Sequence, residues 1–236
     1  MATILYKYQF IQSDQSSLEY LVEIDEKTLN VVQDKEENLP KWTKLSYKKC
    51  GHCVLKESEV THCPVAKNLH KLITRFENTK SIDICEIVID VPERTYKKRT
   101  DIQSGLGSLF GLIMATSSCP SMNFLKPMAR FHLPFASMEE TIFRSMGSFL
   151  IRYYLLGDIS KEQVSEDLKK KYMEVNDVNK HLIDRIDHLL KRKNSGDADQ
   201  NAIVILDTLA VLLTMELSSN ISSMQSLFPG EEFPKE

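Results

Sequence analysis

This sequence has little net charge, no long hydrophobic run and none of the common catalytic motifs, and each absence excludes a class of protein. The net charge is −3 over 236 residues, whereas a dedicated nucleic-acid binder usually carries a strong basic excess. The two longest apolar stretches, residues 106–116 and 202–217, are shorter than the roughly 20 residues that cross a bilayer. We therefore expect no nucleic-acid partner and no membrane association.

The amino-terminal segment also lacks the features of an export signal. MATILYKYQF has no basic start, no long apolar run and no small-residue cleavage site. The chain contains five cysteines, an odd number that does not suit a secreted disulfide framework. We expect a cytoplasmic protein with reduced thiols.

Motifs that identify enzymes are missing as well. The sequence contains no phosphate-binding GxxxxGKS/T loop, no HExxH, no GxSxG and no HxE paired with PCxxC. Gly105, Gly107 and Gly111 resemble a dinucleotide fingerprint, but the spacing is one residue off and no acidic residue and strand follow. Close helix packing accounts for these glycines, and the sequence favours a protein that is not an enzyme.

Residue patterning places the strands in the first half of the chain and only helices in the second. Tyr, Ile, Val and Phe are frequent in 3–10, 18–24, 81–91 and 96–102, which predicts two antiparallel hairpins, with 28–32 as a candidate further strand. Helices are expected from Pro64, over 105–117, and from the capping boxes at Ser137 and Ser160. This order is typical of an α+β fold.

The helical half begins near Met138, and three regions follow from the pattern: an α+β domain with the cysteines over 1–137, a helical region over 138–221 and a flexible tail over 222–236. The first two could form one domain. The helix after Ser160 is expected to break near Asn176. Residues 202–218 are apolar on nearly all sides, so either the other helices or a second chain should cover them. We therefore also expect a homo-oligomer through the C-terminal helices.

The segment CGHCVLKESEVTHCP, residues 50–64, concentrates the chemistry of the chain. CGHC is the active-site tetrapeptide of disulfide isomerases, but such a site needs the first cysteine at the start of a helix that follows a buried strand. The flanking segments KLSYKK and VLKESEV are polar and show neither element. The remaining alternatives are a metal site and thiols that only pack.

A metal site fits the spacing better. Cys50 and Cys53 place two thiolates on one tight turn, and Cys63 precedes a helix whose free amides stabilise negative charge. For the fourth ligand we favour Cys119, which also precedes a proline, over His132. The prediction is one structural zinc ion per chain.

A second candidate site lies in PMARFHLPFA, residues 127–136. Arg130 and His132 fall on the same side of an extended segment, and Arg94 and Gln103 come from the second hairpin and the helix start. These four residues are predicted to line a pocket for a small anionic ligand. Alternatively, backbone carbonyls satisfy the arginine and the histidine.

Three segments, CGHC…HCPVA, ERTYKKRTDIQSGLGSLFGLIMATSSCP and KPMARFHLPFASMEET, resemble a family of uncharacterised bacterial cytoplasmic proteins. The likeness covers roughly residues 40–155, with an echo in YKYQF, and leaves the helices after 158 outside it. The family carries no known activity. The resemblance implies that four cysteines belong to signature segments, namely Cys50, Cys53, Cys63 and Cys119, whereas Cys85 does not.

The sequence therefore predicts a zinc-stabilised cytoplasmic binding or regulatory protein, whose partner is a small anionic ligand or another protein. The alternative is a metal-dependent or thiol-dependent enzyme, or a redox sensor, that uses the cysteine cluster. Four protein ligands would indicate a closed structural zinc site, and three ligands with water a catalytic one.

Overall fold

Four antiparallel strands form one sheet in the N-terminal half of the computed structural model, which describes residues 2–32, 38–157, 161–190, 196–218 and 222–233. The strands are β1 (Thr3–Ile11), β2 (Ser17–Asp25), β3 (Ile84–Val91) and β4 (Arg94–Asp101), in the order β2-β1-β3-β4. Helices make up most of the chain after β4. The predicted α+β fold is therefore confirmed.

One face of the sheet packs against the hydrophobic core and the other faces outward, because side chains alternate between the two faces along each strand. The inward residues of β1 are Ile4, Tyr6, Tyr8 and Phe10, and all are buried. The opposite face carries the exposed Leu5 and Leu21. The candidate strand over 28–32 is reduced to a single bridge between Ile24 and Val31. Leu29 has a φ of 53°, which is outside the extended region that a strand requires.

Two helices cover the inward face of the sheet. These are α1 (Pro64–Phe76) and α2 (Ile102–Ala115). The ring of Phe76 on α1 meets Phe10 of β1 edge to face, with 5.0 Å between centroids. Asp101 caps α2 by accepting a hydrogen bond from the Ser104 N–H. A short 3-10 helix (Pro120–Leu125) and α3 (Lys126–Arg130) then lead to the C-terminal half.

The C-terminal half consists of α4 (Met138–Leu156), α5 (Lys161–Leu190) and α6 (Ala198–Ser218), followed by a 3-10 helix (Ser222–Leu227). The capping box at Ser137 has both of its hydrogen bonds, while the one expected at Ser160 lies outside the described residues. Helix α6 packs against α5 and α2, and buried residues of both halves belong to one continuous core. In the tail, Met224 is buried.

Helix α6 is longer than the apolar run seen in the sequence. Within the described part of the chain, Gln200–Ser218 is the one helix that is long and apolar enough to cross a bilayer, judged by length and composition. The helix thus extends the apolar run over 202–217 to 19 residues, and the expectation of no membrane association stays a prediction. Only 28 % of the window is buried, so α6 also leaves an apolar face uncovered.

Helix α5 is continuous over 30 residues and holds the cysteine segment in place through Arg185. This side chain is 2 % exposed, and its guanidinium donates to the carbonyl oxygens of Trp42 and Lys44, both at 2.8 Å. A planar guanidinium with five N–H donors can serve several carbonyls at once. The loop that precedes Cys50 is thereby fixed to α5.

Candidate metal centre

Four of the five cysteines line one small cavity, which we call the cysteine cavity. Cys50, Cys53, Cys63 and Cys119 form its walls together with neighbouring apolar side chains, and its volume is about 20 Å³. A space of this size holds about one water molecule or one ion. Three separate segments of the chain therefore bring their thiols to a site of single-ion size.

The first two thiols come from a tight turn. The Cys53 N–H donates to the Cys50 carbonyl at 3.1 Å, which closes CGHC into a loop. Gly51 has open space where a Cβ would be. Such a turn presents two sulfurs to the same side, as a chelating knuckle does.

The other two thiols stand at the start of helical segments. Cys63 is the N-cap of α1, with Pro64 as the first helical residue, and its N–H donates to the Thr43 carbonyl at 2.8 Å. Cys119 is the N-cap of the 3-10 helix that begins at Pro120. Burial raises the pKa of Cys119 to about 11, and backbone N–H groups of Ser121 and Met122 act in the opposite direction. Unpaired amides at a helix start are suited to a thiolate.

The electrostatics of Cys50 show how closely the negative groups gather. Burial, followed by charge repulsion from Cys63, Asp177, Cys119 and Cys53, raises the pKa of Cys50 to about 12. A redox cysteine needs the reverse, a lowered pKa that yields a thiolate near neutral pH. Several thiolates become stable together here only when a cation balances them.

Sequence reasoning missed the contribution of α5. Asp177 accepts a hydrogen bond from His52 Nδ1 at 2.6 Å, and His52 Nε2 lies 2.9 Å from Ser121 Oγ. His181 Nδ1 lies 3.2 Å from an Asp177 carboxylate oxygen. An aspartate and a histidine four residues apart share one helix face, and this spacing was the available signal.

These α5 residues define a second ligand set that shares Cys50. Each histidine, cysteine, aspartate or glutamate can offer one atom to a metal ion. Within the described part of the chain, one group of three residues has all of its ligand atoms within 4.8 Å of one another, namely Cys50, Asp177 and His181. No three of the four cysteine sulfurs are that close. Zinc–sulfur bonds of about 2.3 Å in a tetrahedron place the sulfurs about 3.8 Å apart. A four-cysteine centre therefore requires the thiols to turn inward around the ion.

The remaining histidine and cysteine candidates lie elsewhere. His62 hydrogen-bonds Thr43 Oγ1 at 2.8 Å and does not line the cysteine cavity. Cys85 is buried in the core on β3. His132, the reserve fourth ligand, contacts the Tyr8 hydroxyl and lines a different cavity. Cys119 rather than His132 accompanies the other three cysteines.

The four residues predicted to bind an anion do not line one cavity together. Arg130 forms an ion pair with Glu93 at 3.0 Å, and Arg94 is exposed on β4. Neither residue, nor Gln103, lines the cavity that contains His132. This larger space, the large cavity, has a volume of about 370 Å³ and lies between α2, α4, α5 and α6. The pocket exists near His132, but other side chains surround it.

Comparison with protein families gives a match over nearly the whole chain. The model of a family described as "Domain of unknown function (DUF6901)" matches residues 4–229. This match includes the C-terminal helices, which the motif resemblance over residues 40–155 left out. No curated protein and no solved structure matches the chain.

Proposed function

The chain belongs to this DUF6901 family, and from its own residues we propose that it is a zinc-stabilised protein that binds a small molecule. Cys50, Cys53, Cys63 and Cys119 hold one Zn²⁺ per chain in the cysteine cavity. The large cavity receives the small molecule. The role of the metal is structural.

The observation that carries the metal proposal is the meeting of four thiols from three segments in one cavity of single-ion size. The site ties the loop before α1 to the segment that follows α2. A bound zinc ion supplies folding free energy, because the unfolded chain does not hold the ligands together. In this proposal Asp177 and His52 are not metal ligands. Their hydrogen bond holds the Cys50–Cys53 turn against α5 and so orients the ligands.

The cellular setting is part of the proposal. All five cysteines are free thiols, which suits a reducing compartment. We place the protein in the cytoplasm, and the motif resemblance favours a bacterial source. A zinc ion also keeps clustered thiols from oxidising, because bound thiolates are not free to attack.

A second candidate function rests on the group formed by Cys50, Asp177 and His181, whose ligand atoms lie within 4.8 Å of one another. Three protein ligands leave a coordination position for water, which is the arrangement of catalytic zinc sites. In that case the protein would be a metal-dependent hydrolytic enzyme. The two candidates differ in whether Cys119 or His181 is required for metal binding.

Elemental analysis of the purified chain tests the first prediction. We expect about one zinc per chain, lost in Cys119→Ser and retained in His181→Ala. Because a structural site contributes several kcal/mol to folding, chelation should lower the melting temperature by about 10 °C or more. Cys85→Ser is the matched control, since it also removes a buried thiol but should keep the metal.

The opposite results are informative. Zinc that survives Cys119→Ser but not His181→Ala would replace the structural site with the three-ligand centre. A metal-free protein that melts sharply and does not respond to chelator would contradict both metal sites. A Cys50–Cys53 disulfide that forms under mild oxidant in freshly purified, metal-loaded protein would favour the redox alternative.

A further inference from the structure

The large cavity is separate from the cysteine cavity and has the size of a small-molecule site. Its volume of about 370 Å³ lies within the usual range for ligand pockets, roughly 300–1,000 Å³. No cysteine lines it. Its walls come from α2, α4, α5 and α6, from the segment between α2 and α4, and from Lys98 of β4.

Most of the wall is apolar, and the charges on it have one sign. Leu206, Leu209 and Leu213 of α6 form one side, and methionine and leucine side chains of the α2–α3 region form the other. Among the residues that the structure describes, the charged ones on the wall are Lys98 and Arg144, and no aspartate or glutamate lines the cavity. Such walls suit an apolar molecule that carries a negative charge.

Neither cation forms an ion pair with a carboxylate among the described residues, and Glu140 acts on Arg144 only through its charge at longer range. Arg144 donates to the carbonyl oxygens of Met128 at 3.0 Å and Phe131 at 2.6 Å. A guanidinium has five N–H donors, so donors remain for a ligand. Lys98 lies over the ring of Phe135, with its ammonium 5.4 Å from the centroid, and it is exposed. It therefore marks the mouth of the cavity.

Besides the two cations, the buried side chain of Asn179 points to a ligand in the cavity. It lines the cavity, it is fully buried, and neither its amide nitrogen nor its amide oxygen has a hydrogen-bond partner. Buried side-chain amides are nearly always paired in native proteins, because an unmade hydrogen bond is costly. A ligand atom that both donates and accepts would satisfy it.

Arg144 and Asn179 lie near different positions along α5. The Tyr172 hydroxyl is 2.8 Å from Ser145 Oγ, next to Arg144 on α4. Asn179 follows Tyr172 by two helical turns, which is about 10 Å along the helix axis. A ligand that reaches both therefore has a negative group at one end, an apolar body and a polar atom near the other end.

We propose that the large cavity binds a medium-chain fatty acid that carries a hydroxyl group near the far end of its chain. The carboxylate lies at Lys98 and Arg144, the chain lies along α6, and the hydroxyl pairs with the Asn179 amide. The inference rests on the small-molecule part of the proposed function and names its ligand class. It does not depend on the identity of the metal ligands.

Calorimetric titration of the metal-loaded full chain tests the proposal with three probes: decanoate, its terminally hydroxylated form and decanol. The hydroxylated acid should bind about tenfold more tightly than decanoate, since one buried amide gains its partner. Decanol should bind more weakly than decanoate, because it has no charge for the two cations.

Two variants identify the contacts. Asn179→Leu should raise the melting temperature of the free protein, because it removes an unpaired buried amide, and should abolish the preference for the hydroxylated acid. Lys98→Met should weaken both acids several-fold and leave decanol unchanged. Lys97→Met is the matched control on the neighbouring position of β4, where Lys97 pairs with Glu86, and it should change none of the three affinities.

Three different negative results of the titrations would overturn different parts of the proposal. Binding of decanol as tight as that of decanoate would overturn the anionic class but keep the small-molecule function. Equal affinity of both acids for the parent protein would overturn the role of Asn179. If no probe binds to folded, zinc-loaded protein, the small-molecule function itself is wrong, whereas the zinc analysis stands independently.

Discussion

At the residue scale, His132 shows how surroundings fix the charge of one side chain. Its Nε2 hydrogen-bonds with the hydroxyl of the buried Tyr8, and its ring meets Tyr6 edge to face at 5.9 Å. Burial lowers the pKa of His132 to about 3, and the nearby Arg144 charge acts in the same direction. The imidazole is therefore neutral at pH 7, and the charges on the cavity wall are those of Lys98 and Arg144.

The lowered pKa predicts a pH dependence of stability. In the unfolded chain this histidine titrates near 6.5, so the folded state is stabilised above that pH. The stabilisation is lost as the pH falls from about 6.5 toward 3, at up to about 1.4 kcal/mol per pH unit. Urea denaturation at several pH values between 7.5 and 5 measures the slope.

His132→Asn serves as the comparison, because it retains a hydrogen-bonding group for Tyr8 and removes the titration. Its free energy of unfolding should fall less steeply with acidification than that of the parent chain. Loss of zinc at low pH affects both proteins, so the difference between the two curves isolates His132. Parallel curves would show that this histidine does not carry the effect.

The sequence indicated some of these residues and not others. Cys119 could be chosen because it repeats the Cys-Pro pattern of Cys63, and this local pattern can be read without knowing how distant segments pack. Asp177 and Asn179 could not be found in the same way, since their contacts come from packing α5 against distant segments. Arg130 was expected in a pocket, but Glu93 lies close enough to pair with it.

At the scale of elements, α2 lies close to the sheet because of one glycine. A Cβ on Gly105 would come 2.4 Å from Ile87 Cδ1 and 2.7 Å from Phe10 Cε1. Both neighbours are buried, and Phe10 is a rigid ring between the sheet and α1. At Gly107 the nearest atoms are 3.9 Å away, including the Ala202 carbonyl oxygen, which is ordinary contact.

These distances predict opposite effects of the same substitution. Gly105→Ala should destabilise the protein by about 1–3 kcal/mol, because a packed core must shift to admit the methyl group. Gly107→Ala should be neutral or stabilise by up to about 1 kcal/mol, because alanine favours a helix over glycine. Thermal or urea unfolding of both variants measures the difference. Equal destabilisation would mean that close approach to the sheet is not the reason for Gly105.

Elements were predictable where the hydrophobic period was strong, as in β1, or where a capping box marked the start, as at Ser137 before α4. The expected break near Asn176 is wrong, because α5 is continuous. Asn176 donates to Asp207 on α6 at 2.7 Å, and Asp177 bonds to His52. Short polar side chains interrupt helices when they hydrogen-bond their own backbone. Here the side chains of Asn176 and Asp177 instead hydrogen-bond residues of other segments, so the helix continues.

At the scale of the whole molecule, apolar side chains remain on the outside of the C-terminal helices. On α6 these are Val204, Val211, Leu212 and Met215, each at least 40 % exposed. Exposed apolar residues on the neighbouring α4 include Ile151 and Leu155. Asp207, the one charge on α6 between Ala202 and Met215, is engaged by Asn176. A face depleted of charge is typical of the core of an interface between identical subunits.

We propose that a second copy of the chain covers this face. Sedimentation should show a dimer, and Met215→Glu should convert it to a monomer by burying a charge at the interface. Met173→Glu is the control, since Met173 is similarly exposed on α5 (58 % against 63 %) and should leave the dimer intact. A monomeric parent chain that sediments with phospholipid vesicles would instead assign α6 to a membrane.

The contacts of Arg185 also set an order of events during synthesis. Its partner Trp42 lies 143 positions earlier, so the loop before Cys50 cannot be anchored to α5 until nearly the whole of α5 has left the ribosome. Contacts that are distant in sequence form late and slow the folding of a chain. Until then the strands can pair and α1 and α2 can cover the inward face of the sheet, but the side of α2 that packs against α6 stays exposed. Nascent chains that end before Arg185 should therefore depend on holding chaperones far more than chains that end after Ser218.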